Sequence, residues 1–549
     1  MQNLIKIFSG LLIFSVLASG CETFLDVESD RLVFPDEDKL NSPNDTLYSV
    51  IGIFSKLEKL SDRYVLLGEL RGDLMEATEN ANFHLREIQN FEISQDNPYN
   101  QIEDYYSVIN NCNYLVQNID TSYISKGEKI LMKEFAAAKA IRAWTYMQLA
   151  FNYGKAKYYE DPVLSIKDAG NYIEYSIEEL IPVLIQDLEP WKDVKTPGSI
   201  SLGEDLTSEK SFFPIRFLLG DLYLWSGEFE KAALEYHRLM VNNSFVVDSR
   251  YSSTWTVENG VFVSRDWEYQ LWPDIFLLTN REQITLIAGS TEFGESAELV
   301  DLSFNRYEIS PSAPAIANWN NQTYYYNASA FTEGDLRGEE GSYYPFESDF
   351  FGTDLGDQTI NLISKFLFME GITSKAIAVY RTRLLYLRYA EAVNRAGKPN
   401  LAFAVLKNGL NAMTLAIDTI VPKSEKYSQY TDTTGTFYEY VNFENFVFDD
   451  NIGVHACGCG NVRLSTDFII PSLNSLQDSV LFVEDKIIEE LALETAFEGN
   501  RFHDLMRISL RRSDPAYLSD RVAEKYTDNK EAIRSLLLDE NNWYLTDHE

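Results

Sequence analysis

Residues 213–240 read FPIRFLLGDLYLWSGEFEKAALEYHRLM, and this stretch decides the fold. It reads as two helices packed as a hairpin. Leu219-Gly220, Tyr223, Gly227, Ala232 and Tyr236 fall where a tetratricopeptide repeat places its small and large packing residues. Gly220 and Ala232 lack bulk, so the helices approach closely; Tyr223 and Tyr236 fill the grooves on either side, and Gly227 permits the tight turn. The register recurs 170 residues on, with Ala390 standing for Gly220, Gly397 for Gly227 and Ala402 for Ala232. A looser copy has residues 133–153 as its first helix and Gly154 at the turn. One hairpin cannot bury both of its faces, so such units stack. The expected fold is mostly α: a tetratricopeptide-like scaffold of helical hairpins carrying long irregular, partly β insertions.

Around that core the chain is long enough, at 549 residues, for a large interior. With 45% apolar and 13% aromatic residues it is not a disordered polymer, and 33 Tyr with 33 Phe hint at aromatic surfaces. Against 47 basic residues stand 84 acidic ones, a formal charge of −37. Such an excess repels polyphosphates, which argues against nucleic acid as a partner and against adsorption to anionic lipid by charge alone.

Residues 1–20 read as a secretory signal: Lys6, an apolar run through Leu17, then Ala18-Ser19-Gly20 before Cys21. Small residues directly before a Cys resemble a bacterial lipobox, which implies cleavage ahead of Cys21 and lipid on that Cys. The mature chain then carries −38, since Lys6 is lost and 46 basic residues face 84 acidic ones. Residues 21–36 form a polar tether. Of the other cysteines, Cys112 sits in a helical pattern as a small apolar residue. Cys457 and Cys459 form either a strained bridge or two thiols in a Gly-softened loop, and no second Cys/His cluster completes a metal site.

Apolar stripes predict helices at 44–60 (Leu47, Val50, Phe54, Leu57) and 101–119 (Ile102, Tyr105, Ile109, Cys112). Residues 71–100, rich in Asn, Glu and Gln, read as a loop layer over helix ends. Residues 133–153 are apolar nearly all round and predict a buried helix partnered by 172–191, with Pro182 kinking the latter. A single domain over 37–549 is expected, with repeat hairpins near 40–120, 127–191, 212–242 and 380–415. Pro399 is placed to start the second helix of the last hairpin. Residues 244–368 form an insertion of short aromatic and β-branched runs, and 421–480 are irregular. A C-terminal helical segment spans 482–549, with an amphipathic helix at 482–498 ended by Gly499 and followed by Arg501, Arg507, Arg511 and Arg512.

Several of these pieces, in this order, resemble the SusD/RagB family of Bacteroidetes surface lipoproteins. Cys21 is followed by Phe24-Leu25-Asp26, and Ala140-Ile141-Arg142-Ala143 precedes Asn152-Tyr153-Gly154. Tyr380-Arg381 leads into Leu387-Arg388-Tyr389-Ala390-Glu391-Ala392 and Asn394-Arg395-Ala396-Gly397. Glu494-Thr495-Ala496-Phe497-Glu498-Gly499-Asn500-Arg501-Phe502-His503-Asp504-Leu505 closes the set. The resemblance implies about four tetratricopeptide-like units. It also implies a lipid-anchored position on the cell outer membrane, pairing with a SusC-like TonB-dependent transporter, and capture of oligosaccharides or oligopeptides rather than catalysis. Two features depart from the family pattern: Ile102 stands where members often carry Trp, and the chain ends without a Pro-rich finish. The motifs themselves read as architectural, with Glu391 and Arg395 one helical turn apart and Glu498, Arg501 and Asp504 clustered at a helix end.

No catalytic motif emerges: the sequence holds no Gly-x-Ser-x-Gly, His-Glu-x-x-His or phosphate-loop Gly-Lys-Ser/Thr, and nothing calls for a cofactor. Sugar binding needs flat aromatic faces for C–H surfaces and planar amides for hydroxyls. Trp319, Asn320, Gln322, Tyr324, Tyr325 and Tyr326 supply both within one run, and the same residues would equally serve as a packed aromatic strand. Asn80, Asn82 and Phe83, with His84 and Tyr99 nearby, form a second candidate, and Trp267, Tyr269 and Trp272 a weaker third. The rival readings are an oligopeptide binder, a surface glycoside hydrolase and a purely structural repeat adaptor.

Overall fold

Helices Ile215–Ser226 and Phe229–Asn243 form the hairpin that the sequence predicts. A Cβ on Gly220 would stand 2.3 Å from Cε1 of Tyr236, so only a residue without a side chain lets the two helices meet. Tyr236 is fully buried, and its hydroxyl donates to Asp221 at 2.6 Å. The computed structural model describes residues 40, 42–168, 170–199, 201, 207–258, 261–290, 298–327, 330–347, 359–369, 374–430, 435–460 and 463–546. The expected signal segment, Cys21 and the expected tether lie outside the described residues.

The second hairpin pairs Thr382–Arg395 with Pro399–Lys407, Pro399 opening its helix. That helix stops at Lys407, short of the predicted 415; Gly409 turns the chain with φ 75, and a separate turn, Ala412–Ala416, follows. Helix Met132–Tyr153 is buried at every position from Ala136 onward except Lys139, in keeping with its nearly all-round apolar sequence. Its partner begins at Ile177 rather than 172, because Ser176 and Glu179 close a capping box there. Residues Ile173–Ser176 instead pair as a strand with Lys155–Tyr158, and Pro182 lies inside an unbroken helix.

Between 71 and 100 the expected loop layer holds strand Met75–Ala77 and helix Phe83–Asn90. Asn82 caps that helix, its Oδ1 accepting from the Leu85 amide at 3.1 Å, and Leu85 and Ile88 bury one face. Two buried apolar positions in eight residues are too few to stand out against so polar a background. The insertion supplies short antiparallel pairs, among them Met75–Ala77 with Ile309–Pro311 and Gln283–Ser290 with Ser374–Arg381. A three-stranded sheet runs in the order Ala330–Glu333, Thr323–Asn327, Arg463–Leu464.

At the C-terminus, helix Leu476–Thr495 ends before Gly499, because Ala496 is extended (ψ 138) and Phe497 takes φ 68. Gly499, at φ 87, abuts the N-terminal helix Ser61–Glu69: a Cβ on Gly68 would lie 1.9 Å from the Gly499 carbonyl oxygen. Glu69 accepts from the amides of Phe497 at 3.1 Å and Gly499 at 2.8 Å. Lys525 donates to the Leu70 carbonyl at 2.5 Å, and Arg71 to that of Trp543 at 3.0 Å.

Buried ion networks hold insertion, repeats and C-terminus together. Arg337 binds Asp335 at 2.7 Å, Glu490 at 2.6 Å and Glu494 at 2.9 Å; Arg381 binds Glu494 and Glu498, each at 2.7 Å. Burial pushes the Glu494 carboxyl up, but Arg381, Arg337 and Arg383 outweigh it and hold the group below the usual carboxylate range. Glu391 does not pair with Arg395 as expected. Arg507 grips it with two hydrogen bonds of 2.9 and 2.6 Å, Arg511 adds one of 2.8 Å, and Arg395 reaches Glu484 instead. Glu498, Arg501 and Asp504 likewise leave one another for Lys365, Asp73 and Arg388, each on a different element. Cys457 and Cys459 are buried thiols rather than a bridge, with the Arg383 guanidinium donating to Cys457 Sγ at 3.4 Å.

Candidate functional site

The aromatic run at 319–326 divides by burial. Trp319 ends helix Ala313–Asn320 inside the core, 1% exposed, and its indole N–H donates to the Leu493 carbonyl at 3.0 Å. Tyr324 is fully buried in strand Thr323–Asn327 and donates to Asp335 at 2.6 Å. Both are packing residues with no face free for a ligand, a correction to the sequence reading. Gln322 is half-buried and spends its amide on the Asn318 carbonyl at 2.8 Å. Asn320 and Tyr326 are exposed, and Tyr325 faces Phe331 across the small sheet with ring centroids 6.1 Å apart. Trp272, from the third candidate, is buried and donates to Glu494.

The second candidate lands on a ledge. The Met75–Ala77 and Ile309–Pro311 ribbon brings the 78–83 turn against residues 306–308, with the Thr78 amide donating to the Glu308 carbonyl at 2.9 Å. Asn82 uses its carbonyl to cap the helix and its Nδ2 to hold Glu308 Oε2 at 2.6 Å, so it positions rather than presents itself. Phe83 is 69% exposed, its ring braced edge-on by His84 at 5.8 Å, and Asn80 is exposed beside it. Tyr307, half-buried, adopts φ 48, a left-handed conformation uncommon for a bulky residue and of the kind that clusters at binding sites. Arg306 lies 3.6 Å from Glu308. Burial, reinforced by Asp62 and Glu298, raises the hydroxyl pKa of the half-buried Tyr99. Burial also pushes the Asp62 carboxyl up to about 6, although the Glu298 amide donates to it at 2.9 Å.

No family model matches the chain, and no curated protein does. Solved structures do. A SusD-like carbohydrate binding protein from Bacteroides fragilis NCTC 9343 aligns over 86% of this chain and 88% of its own at 14% identity, TM-score 0.54. The chain has the SusD-superfamily fold. A SusD superfamily protein from Bacteroides thetaiotaomicron VPI-5482 aligns over 91% and 98% at 16% identity (TM-score 0.55). A putative sugar binding protein from Bacteroides vulgatus ATCC 8482 aligns over 86% and 88% at 17% identity, also with TM-score 0.55.

On this SusD-like frame the ledge joins one exposed aromatic plate to amides, a carboxylate and a guanidinium, a set suited to holding a hydroxylated ring. Sequence reasoning singles out Asn80, Asn82 and Phe83 but not Arg306, Tyr307 and Glu308, which the structure places beside them. Those lie more than 200 positions away in the insertion, and only the ribbon register connects the two segments. No group of three or more His, Cys, Asp or Glu side chains poised to hold a metal ion occurs among the described residues. No helix among them is long and apolar enough to cross a membrane.

Proposed function

We propose that this protein is a non-catalytic, lipid-anchored binding protein that captures oligosaccharides at the cell surface and delivers them to a SusC-like TonB-dependent transporter. The observation that carries the reading is the ledge: Phe83 projects into solvent from a helix fixed by Asn82 and Glu308, so its face is pre-positioned at little entropic cost on binding. The carbohydrate-binding descriptions of the similar folds support a glycan as the ligand. Stacking on Phe83 and Tyr99 would hold the ring faces, while Asn80 and Arg306 take hydroxyls and the buried Glu308 holds Asn82 and Arg306 in place. Cys21 lipid and the 21–36 tether would keep the domain near its transporter.

The test is calorimetric binding across a panel of neutral glycans. Phe83→Ala is expected to weaken the bound glycan by about 0.5–1.5 kcal/mol, roughly 2- to 12-fold, with the melting temperature unchanged. Recovery of intact glycan after incubation supports binding without turnover; shortened products would refute it. Purification of the native membrane complex should bring down the transporter.

A further inference from the structure

Away from the ledge, a cleft of ≈ 1130 Å³ opens between the 192–199 segment, the start of helix Ile215–Ser226 and strand Gln283–Ser290. Its walls carry Lys133, Lys192, Lys195, Lys210, Arg216 and Arg281. Among the described residues only Asp193 and Glu209 oppose them on the lining, in a chain whose net charge is −37. Arg216 is neutralised by Glu235 and Asp193, and Lys192 by Glu189 at 2.6 Å. Lys210 is held by the carbonyls of Leu278 at 2.8 Å and Asn280 at 2.5 Å, and burial pulls its amine down to about 8. Lys133, Lys195 and Arg281 have no ion-pair partner among the described residues, and the last two are exposed.

A separate observation concerns Gln283 on the cleft wall. It is 2% exposed; its Nε2 donates to the Ile275 carbonyl at 2.7 Å, while its Oε1 is buried without a partner. A buried unpaired acceptor is costly unless a ligand brings a donor to it. Free cations call for an anion and the stranded amide oxygen for a hydroxyl. The volume exceeds the roughly 300–1,000 Å³ of pockets for single small ligands.

We infer that this cleft is a second binding site, for an acidic oligosaccharide whose carboxylates or sulfates meet Lys133, Lys195 and Arg281 while a ring hydroxyl donates to Gln283. The preference for an anion stands on the cleft alone; the choice of sugar over peptide rests on the glycan-capture reading above.

The experiment titrates the full-length protein with hexagalacturonate, its methyl-esterified neutral counterpart, poly-glutamate and sodium sulfate. Hexagalacturonate is expected to bind about tenfold more tightly than the ester and to weaken with salt. The Lys195→Ala/Arg281→Ala variant should lose about tenfold in that affinity, and Lys129→Ala, which removes an exposed cation outside the cleft, should lose none. Equal affinity for acid and ester, or an unchanged double variant, overturns the site. Displacement by sulfate at matched charge overturns it as simple ion exchange. Poly-glutamate binding as tightly as the sugar overturns the saccharide assignment. Neutral-glycan binding that is indifferent to Phe83→Ala while the cleft still takes hexagalacturonate refutes the ledge and supports the cleft.

Discussion

Gly220→Ala adds one methyl where the space is already filled. The new Cβ would stand 2.3 Å from Cε1 and 2.6 Å from Cδ1 of Tyr236, well inside the ~3.5 Å at which carbon atoms rest. Tyr236 is buried beside Phe217, edge-on at 5.7 Å, and retreats only by giving up its 2.6 Å hydrogen bond to Asp221. Overpacking costs about 1–3 kcal/mol and the lost bond to a carboxylate about 1.5–3, while alanine's better helix propensity returns about 1. The net loss is roughly 1.5–5 kcal/mol. Gly52, within helix Pro43–Glu58, is the control: a Cβ there meets nothing within 4 Å, so Gly52→Ala should gain up to about 1 kcal/mol. At about 2.1 cal/mol/K per residue, unfolding a chain this long shifts by only ~1 °C per kcal/mol. Scanning calorimetry at one scan rate should therefore place Gly220→Ala roughly 2–5 °C below wild type and Gly52→Ala about 1 °C above it. If both variants move the same way, close helix approach is not what specifies the hairpin.

Three further outcomes follow from buried groups. Glu391→Ala leaves Arg507 to Asp504 and Arg511 to a longer contact with Glu484, and should cost about 3–5 kcal/mol in urea unfolding, most of it recovered in Glu391→Met/Arg507→Met; a neutral single variant would contradict the network. Burial, then the charges of Arg71, Arg507 and Arg388, hold the His503 imidazole well below its ordinary range. The unfolded chain takes up that proton near pH ~6.5 and the folded chain does not, so stability falls as pH drops through that value. His503→Gln should flatten that slope, and an unchanged slope would exclude His503 as its source. Trp319→Ala should lose about 3–5 kcal/mol of stability, yet leave the glycan affinity of its folded fraction unchanged; a selective loss of affinity would restore it as a contact.

What the sequence discloses is what local spacing encodes. Gly220, Ala232, Ala390 and Ala402 mark close approaches because two helices can touch backbone to backbone only where small residues recur at fixed offsets, and all the alanines among them are fully buried. Pairings across the fold are a different matter. Glu391 and Arg395 are neighbours on one helix, but the stronger partner, Arg507, arrives from 116 positions away. The aromatic run at 319–326 displays the residue types of a sugar platform, and burial of Trp319 and Tyr324 is decided by Leu493 and Asp335, which local pattern does not place. The ledge was half legible for the same reason: Phe83 announces itself, whereas Tyr307 and Glu308 join it only through strand register.

The contacts from Glu69 to Phe497 and Gly499, and from Arg71 to Trp543, have a temporal meaning. A polypeptide emerges N-terminus first, so helix Ser61–Glu69 must wait for over 400 residues before its buried carboxylate finds the amides that satisfy it. Until then the early repeats stand incomplete, and a chain cut short before Phe497 never closes them. The later-made segment acts as a clasp on the earlier one, and a chain without it leaves the Glu69 carboxylate with no amides to satisfy it.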